Sequence, residues 1–311
     1  MSGLSEIAYE TALPGQPLRV FTLRGARSGP TLALIGAVHG DEYEGPIVLS
    51  RLLARLDPGR LAGRLIVCPA ANIGAVAEAR RCSPADGGNL ARCFPGRAGA
   101  GPTEALAALV AEHVIAPADA LVDLHSGGMA LTCPPFAGYC DAPGELGATA
   151  RAMAEAFRAP VLWRHAPPMP PGRTLSFAAE RGIPAIYAEA GGGTFPPSDV
   201  LDLYRDGVVR VMASLGMLAA DAAKPPAPPL RLSGDGDLDA ALTAPATGLC
   251  TARIAPLARL APGTACFEIH DLDGRLLETV CARRAAVAVF VRRSRWVNEG
   301  DLLMATAQEE T

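Results

Sequence analysis

Five histidines, at 39, 113, 125, 165 and 270, bound the metal and acid–base chemistry open to this chain. Two of them close apolar runs: His39 follows LALIGAV, and His125 ends ALVDLH. The carboxyl ends of strands are where open α/β sheets build their sites. Glu42 stands three residues after His39, so both side chains can face one point where a loop enters a helix. A donor from His125 completes a His2Glu set, the pattern of a catalytic zinc with a fourth position open to water. HxxE alone is a common chance match. HGDEYEG and DLHSGG, each on a strand end, are a far more specific pair, and they differ from the single-helix HExxH arrangement.

Three further features complete the candidate chemistry. Asp123 lies two residues before His125 and shares its side of a strand, where it can accept from the second ring nitrogen of a metal-bound histidine. A buried aspartate satisfied by backbone is the plainer alternative. Glu189 follows AIYA and precedes a run of glycines, Gly191 to Gly193; a carboxylate beside an activated water can take its proton and return it to a leaving amine. The glycines would let substrate approach closely, unless they form only a turn or an anion-binding loop. Between the two metal segments lies RRCSPADGGNLARCFPG, residues 80–96, whose arginines could grip a carboxylate or an oxyanion. The other histidines have blander readings. His113 reads as a surface or helix-packing residue of the 103–115 helix, His165 lies in a proline-rich loop that could edge the pocket, and His270 is at the tip of a β-hairpin.

These residues need a scaffold. Strands are expected at 30–38, 63–69, 120–124 and 182–188, and helices at 46–56, 103–115 (Thr103 as N-cap), 142–157 and 199–218. Their alternation argues an α/β/α sandwich around a mixed, largely parallel sheet. The stretch AADAAKPPAPP, 219–229, cannot form a helix interior or a central strand. It divides the chain into a catalytic domain, 1–220, and a C-terminal β-domain, 230–311, with 221–229 as linker. In the second domain LAPG at 260–263 and VNEG at 297–300 each precede an apolar strand, which suggests a pseudo-symmetric, barrel-sandwich-like domain of the biotinyl/lipoyl type.

Composition narrows the function. The chain has 311 residues, 50% hydrophobic and 19% charged, with net charge -4: a globular protein with no electrostatic footprint for nucleic acid. No apolar run is long enough for a membrane span, and no secretory leader is read at the N-terminus, so a cytoplasmic location is expected, with no membrane partner and a homo-oligomer possible. The eight cysteines include no CxxC pair and read as reduced packing residues. Of 28 basic residues a single one, Lys224, is lysine. Nucleotide bias accounts for the skew, yet it denies the C-terminal domain a carrier lysine and leaves any substrate anion to arginine.

With HGDEYEGP (39–46), RCSPADGGNLARCFPG (81–96), DLHSGG (123–128) and YAEAGGG (187–193) in order, the sequence resembles the succinylglutamate desuccinylase/aspartoacylase family, zinc carboxypeptidase-like amidohydrolases. Within it, the chain is similar to the N-acetyl-diaminobutyrate deacetylases. The resemblance implies one zinc per chain on His39, Glu42 and His125, Glu189 as general base and acid, and Arg81 polarising the scissile carbonyl. Arg92 would hold a substrate carboxylate, yet Ala91 stands where the family carries asparagine. Asn89 could face the same way, and Arg173 is a further candidate substrate contact. The expected function is hydrolysis of the amide of a small acylated amine or N-acyl amino acid. A carboxypeptidase-type peptidase and a non-catalytic binding protein are the alternatives.

Overall fold

The computed structural model describes residues 3–219, 227–293 and 295–310. Strands β1 (Leu4–Tyr9), β2 (Leu18–Arg24) and β3 (Arg27–Gly36) lead to helix α1 (Glu44–Arg55), β4 (Ala62–Cys68), α2 (Ile73–Ala77) and α3 (Pro102–Val110). Then come β5 (Ala120–Leu124), β6 (Leu131–Cys140), α4 (Glu145–Phe157), β7 (Val161–His165), α5 (Thr174–Glu180), β8 (Ala185–Gly191) and α6 (Ser198–Ser214). The C-terminal part adds β9 (Leu230–Gly234), β10 (Leu242–Thr243), β11 (Gly248–Ala252), β12 (Arg259–Leu260), β13 (Ala265–His270), β14 (Leu276–Cys281), β15 (Ala286–Arg292), β16 (Arg295–Val297) and β17 (Leu302–Glu309). Residues 220–226, including Lys224 and most of the expected linker, lie outside the described residues.

The long sheet runs β1-β2-β4-β3-β5-β8-β6-β7-β9-β17-β15-β12. Its pleat assigns side chains to two helical layers. Leu32, Leu34, Leu65, Val67, Val122 and Leu124 pack with α1, α4 and α6. Ala33, Ile35, Ile66, Cys68 and Leu121 pack with α3 and α5 on the other face. This alternation is what a sheet covered on both sides requires. The sheet is mixed, as expected, but its parallel part is narrower than the sequence suggested. Parallel pairing joins β4, β3, β5 and β8 and, separately, β6, β7 and β9. The flanks and the β6–β8 junction are antiparallel.

The C-terminal strands do not hang from the sheet as a separate body. β9 pairs with β7, β17 with β9, β15 with β17, and β6 with β15. These strands therefore close a ring around Phe136, Trp163, Val289 and Phe290. Phe136 meets Trp163, Tyr187 and Phe290 edge-on there, at 5.4 to 5.7 Å between ring centres. A second sheet, β14-β13-β11-β16, covers the rest of this region. The two LAPG/VNEG segments become equivalent strand–turn–strand units, with Gly263 and Gly300 at φ +84 and +88.

Local expectations needed three corrections. Gly101, not Thr103, precedes the first turn of α3; the helix's free amides are met from outside by Asp86, which accepts from Thr103 N at 3.0 Å and from its hydroxyl. The helix also widens to a π turn over Ala111–Ile115. His165 is the last residue of β7, fully buried, rather than part of a loop.

Candidate active site

The loop after β3 carries His39, the turn entering α1 carries Glu42, and the end of β5 carries His125. All three are at least nine-tenths buried, and one donor atom from each lies within 4.8 Å of the others. Glu42 is the hub. Its Oε1 is 2.9 Å from His39 Nδ1 and 3.0 Å from Arg81 Nη1; its Oε2 is 3.0 Å from His125 Nδ1 and accepts from Ser126 N at 3.1 Å. Gly40 makes the crossing possible: a Cβ there would fall 2.0 Å from the Ala75 carbonyl carbon. Asp41 accepts from Met129 N at 2.9 Å and ties the β3 and β5 loops together. Tyr204 on α6 donates to the His125 carbonyl at 2.6 Å.

The outer imidazole nitrogens decide what this cluster can hold. His125 Nε2 is 2.9 Å from Asp123 Oδ2, and His39 Nε2 is 3.1 Å from Asn89 Oδ1. Both nitrogens therefore carry protons, so a ring in its neutral form directs the Nδ1 lone pair at the Glu42 carboxylate. Three converging lone-pair donors repel one another unless a cation lies between them, so the residues fit a metal ion. Burial, and then Arg81, lower the His39 pKa to about 4, which keeps the ring neutral and able to ligate. Burial also disfavours charge on His125, but Asp123 and Glu42 outweigh it and hold its pKa well above the usual range, a measure of the negative charge gathered here. Thr174 Oγ1 donates to Asp123 Oδ2 and fixes that carboxylate in turn.

Glu189, on the same face of β8 as Tyr187, stands beside the cluster. Burial raises its pKa well above the usual carboxylate range, and Glu42 pushes the same way. Its Oε2 has no hydrogen-bond partner among the described residues. It stands at the wall of a cavity also lined by His39, Arg81, His125 and Ala91. The glycines after it do not line that cavity. A Cβ on Gly192 would meet Leu131 O at 2.2 Å, and Gly193 packs on the Arg293 guanidinium, so their smallness serves chain packing rather than substrate approach.

The substrate-side residues depart from expectation. Asn89 does not look toward Ala91's side of the cavity: its Oδ1 caps the short turn Leu90–Arg92 through Ala91 N at 3.1 Å and receives His39 Nε2–H. Arg92 and Arg173 do reach the cavity, but both are ion-paired with aspartates from the segment after β9. His165 lines the cavity from the end of β7, and Tyr187, Asp235, Leu238 and Phe290, which were not singled out, line it as well. The spacing that marks Tyr187, two residues before Glu189 on one strand, was available in the sequence. Nothing local marked Asp235, Leu238 or Phe290. The remaining histidines stay structural: His113 stacks on Tyr9 at 4.0 Å, and His270 ends β13 beside the hairpin turn.

Residues 28–215 match the profile of the succinylglutamate desuccinylase/aspartoacylase catalytic domain. The chain is 31% identical over 284 residues to the N-alpha-acetyl-L-2,4-diaminobutyric acid deacetylase of Halomonas elongata, covering 90% of this chain and 82% of that protein. Among solved structures it resembles a succinylglutamate desuccinylase from Silicibacter (TM-score 0.87, 28% identity, 100% of this chain and 96% of that one). It also resembles the product-bound ectoine utilization protein EutE (DoeB) of Ruegeria pomeroyi (TM-score 0.86, 27% identity, 99% and 96%).

Proposed function

Because the chain belongs to the succinylglutamate desuccinylase/aspartoacylase family, we propose that it is a zinc-dependent deacylase that hydrolyses the amide of a small N-acyl amino acid to a carboxylate and a free amine. The observation that carries this is the convergence of His39 Nδ1, Glu42 and His125 Nδ1 beside the buried Glu189, whose Oε2 has no partner among the described residues. His39, Glu42 and His125 would hold one zinc ion. Bound there, zinc supplies Lewis-acid polarisation of the carbonyl and a more acidic water.

The chain's own residues do the rest. Arg81 commits one guanidinium nitrogen to Glu42 and also lines the cavity, where it stabilises charge growing on the carbonyl oxygen. Glu189 takes a proton from water as its oxygen bonds to the carbonyl carbon. It gives that proton to the amine nitrogen as the C–N bond breaks. Asp123 and Asn89 hold the histidine rings in the ligating tautomer throughout. The name of the Halomonas relative supports an acetyl group and an amino acid as the two halves of the substrate.

Assaying zinc-loaded protein against a panel of N-acyl amino acids and short peptides tests this reading. Amine release from the N-acyl amino acids, abolished by chelation, is expected. Activity confined to the peptides would transfer the protein to the peptidase reading.

A further inference from the structure

The second sheet, β14-β13-β11-β16, is apolar on both sides. Its inward side chains Cys250, Phe267, Ile269, Val280 and Val297 make a core with β15 and β17. Alternate positions point outward, where a sheet with one solvated face carries polar residues. Here the register places Leu276 opposite His270, His270 opposite Leu249, and Leu249 opposite Trp296, one row across all four strands. Leu249, Leu276 and Trp296 are 45–50% exposed, and Leu272, in the turn just past His270, is 77% exposed. These four are most of the seven exposed large apolar side chains among the described residues. Scattered singly such side chains mean little; gathered on one face they mark an interaction surface.

Charge and register select the occupant. Two ion pairs beside the row are internal: Glu268 with Arg253 at 2.6 Å, and Asp271 with Arg275 at 3.2 Å. They leave no net charge there to recruit a strongly charged partner. The neighbouring cross-strand row runs Glu278, Ile269, Cys250, Arg295. Glu278 and Arg295 thus stand at opposite edges of the sheet, both exposed and neither ion-paired among the described residues. A twofold axis parallel to the strands, above the boundary of β11 and β13, reverses each row end for end. It lays Leu276 on the partner's Trp296 and His270 on the partner's Leu249, and it brings Glu278 to the partner's Arg295 on both sides. The surface is complementary to itself, as an isologous contact requires.

We propose that the outer face of the β14-β13-β11-β16 sheet is a homodimer interface, occupied by the same face of a second copy of this chain. β13 has six residues. With strands about 4.8 Å apart and a rise of about 3.3 Å per residue, four such strands present a face of roughly 400 Å². Two faces and their 271–275 turns bury about 1,000 Å², the lower bound for a specific interface. The dimer is therefore a reversible one, formed at micromolar concentration.

Sedimentation velocity of the whole chain across roughly 1–500 μM tests it. Wild type should pass from monomer to dimer with a Kd of about 1–100 μM. Trp296→Asp should raise that Kd at least about tenfold. Its circular dichroism should be unchanged, because Trp296 is outside the core. Glu278→Arg and Arg295→Glu should each weaken self-association several-fold. An equimolar mixture of those two variants should recover it as a mixed dimer, because both cross-pairs are again of opposite sign. A chain monomeric throughout that range overturns the proposal and leaves the face to a different partner. So does a dimer that Trp296→Asp leaves intact, or a mixture that associates no more tightly than its two components.

Discussion

The two ends of one cavity are built on opposite plans. At the metal-ligand end His39, Glu42 and His125 are buried, follow the neighbouring strands β3 and β5, and are backed by fixed partners: Asp123 behind His125, Asn89 behind His39, Tyr204 under the His125 carbonyl. At the substrate end Arg92 and Arg173 are held by Asp237 and Asp239 from far along the chain, and Asp239 is 60% exposed. A buried end resists change, because each partner removed leaves an unpaired polar group. A partly exposed end gains little from each ion pair and can be rewritten cheaply. On the deacylase reading proposed above, reaction chemistry lies where the structure is least alterable, and substrate choice where it is most so.

If that contrast is real, substitutions should rank by which end they touch. Glu42→Ala removes a donor and the hub of four contacts; turnover should fall by at least about 1,000-fold, with metal lost by elemental analysis. Metal retained at the wild-type level would break the ligand assignment. Glu189→Gln should keep the metal and lower kcat by roughly 100- to 10,000-fold with KM little changed. Near-normal turnover with metal present would remove Glu189 from the chemistry. Asp123→Asn, one step further out, should weaken metal affinity by about 10- to 100-fold in competition with a chelator.

His165 is a buried group at the substrate end and sharpens the contrast. Burial lowers its pKa to about 4, so the folded protein keeps it neutral while the unfolded chain takes up a proton below about 6.5. Its contribution is present above pH 6.5 and is lost as pH falls toward 4, by about 2–3 kcal/mol. Denaturant melts of wild type and His165→Gln at pH 7 and pH 5 should show the wild type losing more. Parallel losses would place the pH sensitivity elsewhere. The smallest stability effect is expected for Asp239→Asn: below about 1 kcal/mol for a surface pair.

The same contrast separates what the sequence discloses from what it hides. His39, Glu42 and His125 were legible because PTLALIGAV and ALVDL are buried runs whose ends are polar, and strand ends are few. Asp123 was legible by the strand period. Arg92 and Arg173 could be named but not interpreted, because Asp237 and Asp239 are distant in sequence and carry no local signal. Asn89 was misdirected for a related reason: a cap and a histidine contact are both made by one oxygen, which spacing alone cannot show. Among the elements, β6 was missed because Pro134 and Pro135 argue against a central strand. It survives because its pairing with β8 shifts register between Cys133 and Phe136, where no ladder bond is required of the prolines. The ring joining β6, β7, β9, β17 and β15 is made of pairings remote in sequence, and only three-dimensional contact reveals it.

The central claim is that the buried His39–Glu42–His125 cluster is a hydrolytic metal centre. Stripping the purified protein with a chelator and titrating zinc back while following hydrolysis of an N-acetyl amino acid tests it most directly. Activity should vanish on stripping and return linearly, with a break at one zinc per chain. Full activity in protein shown to be metal-free, or recovery with no break near that ratio, would contradict it.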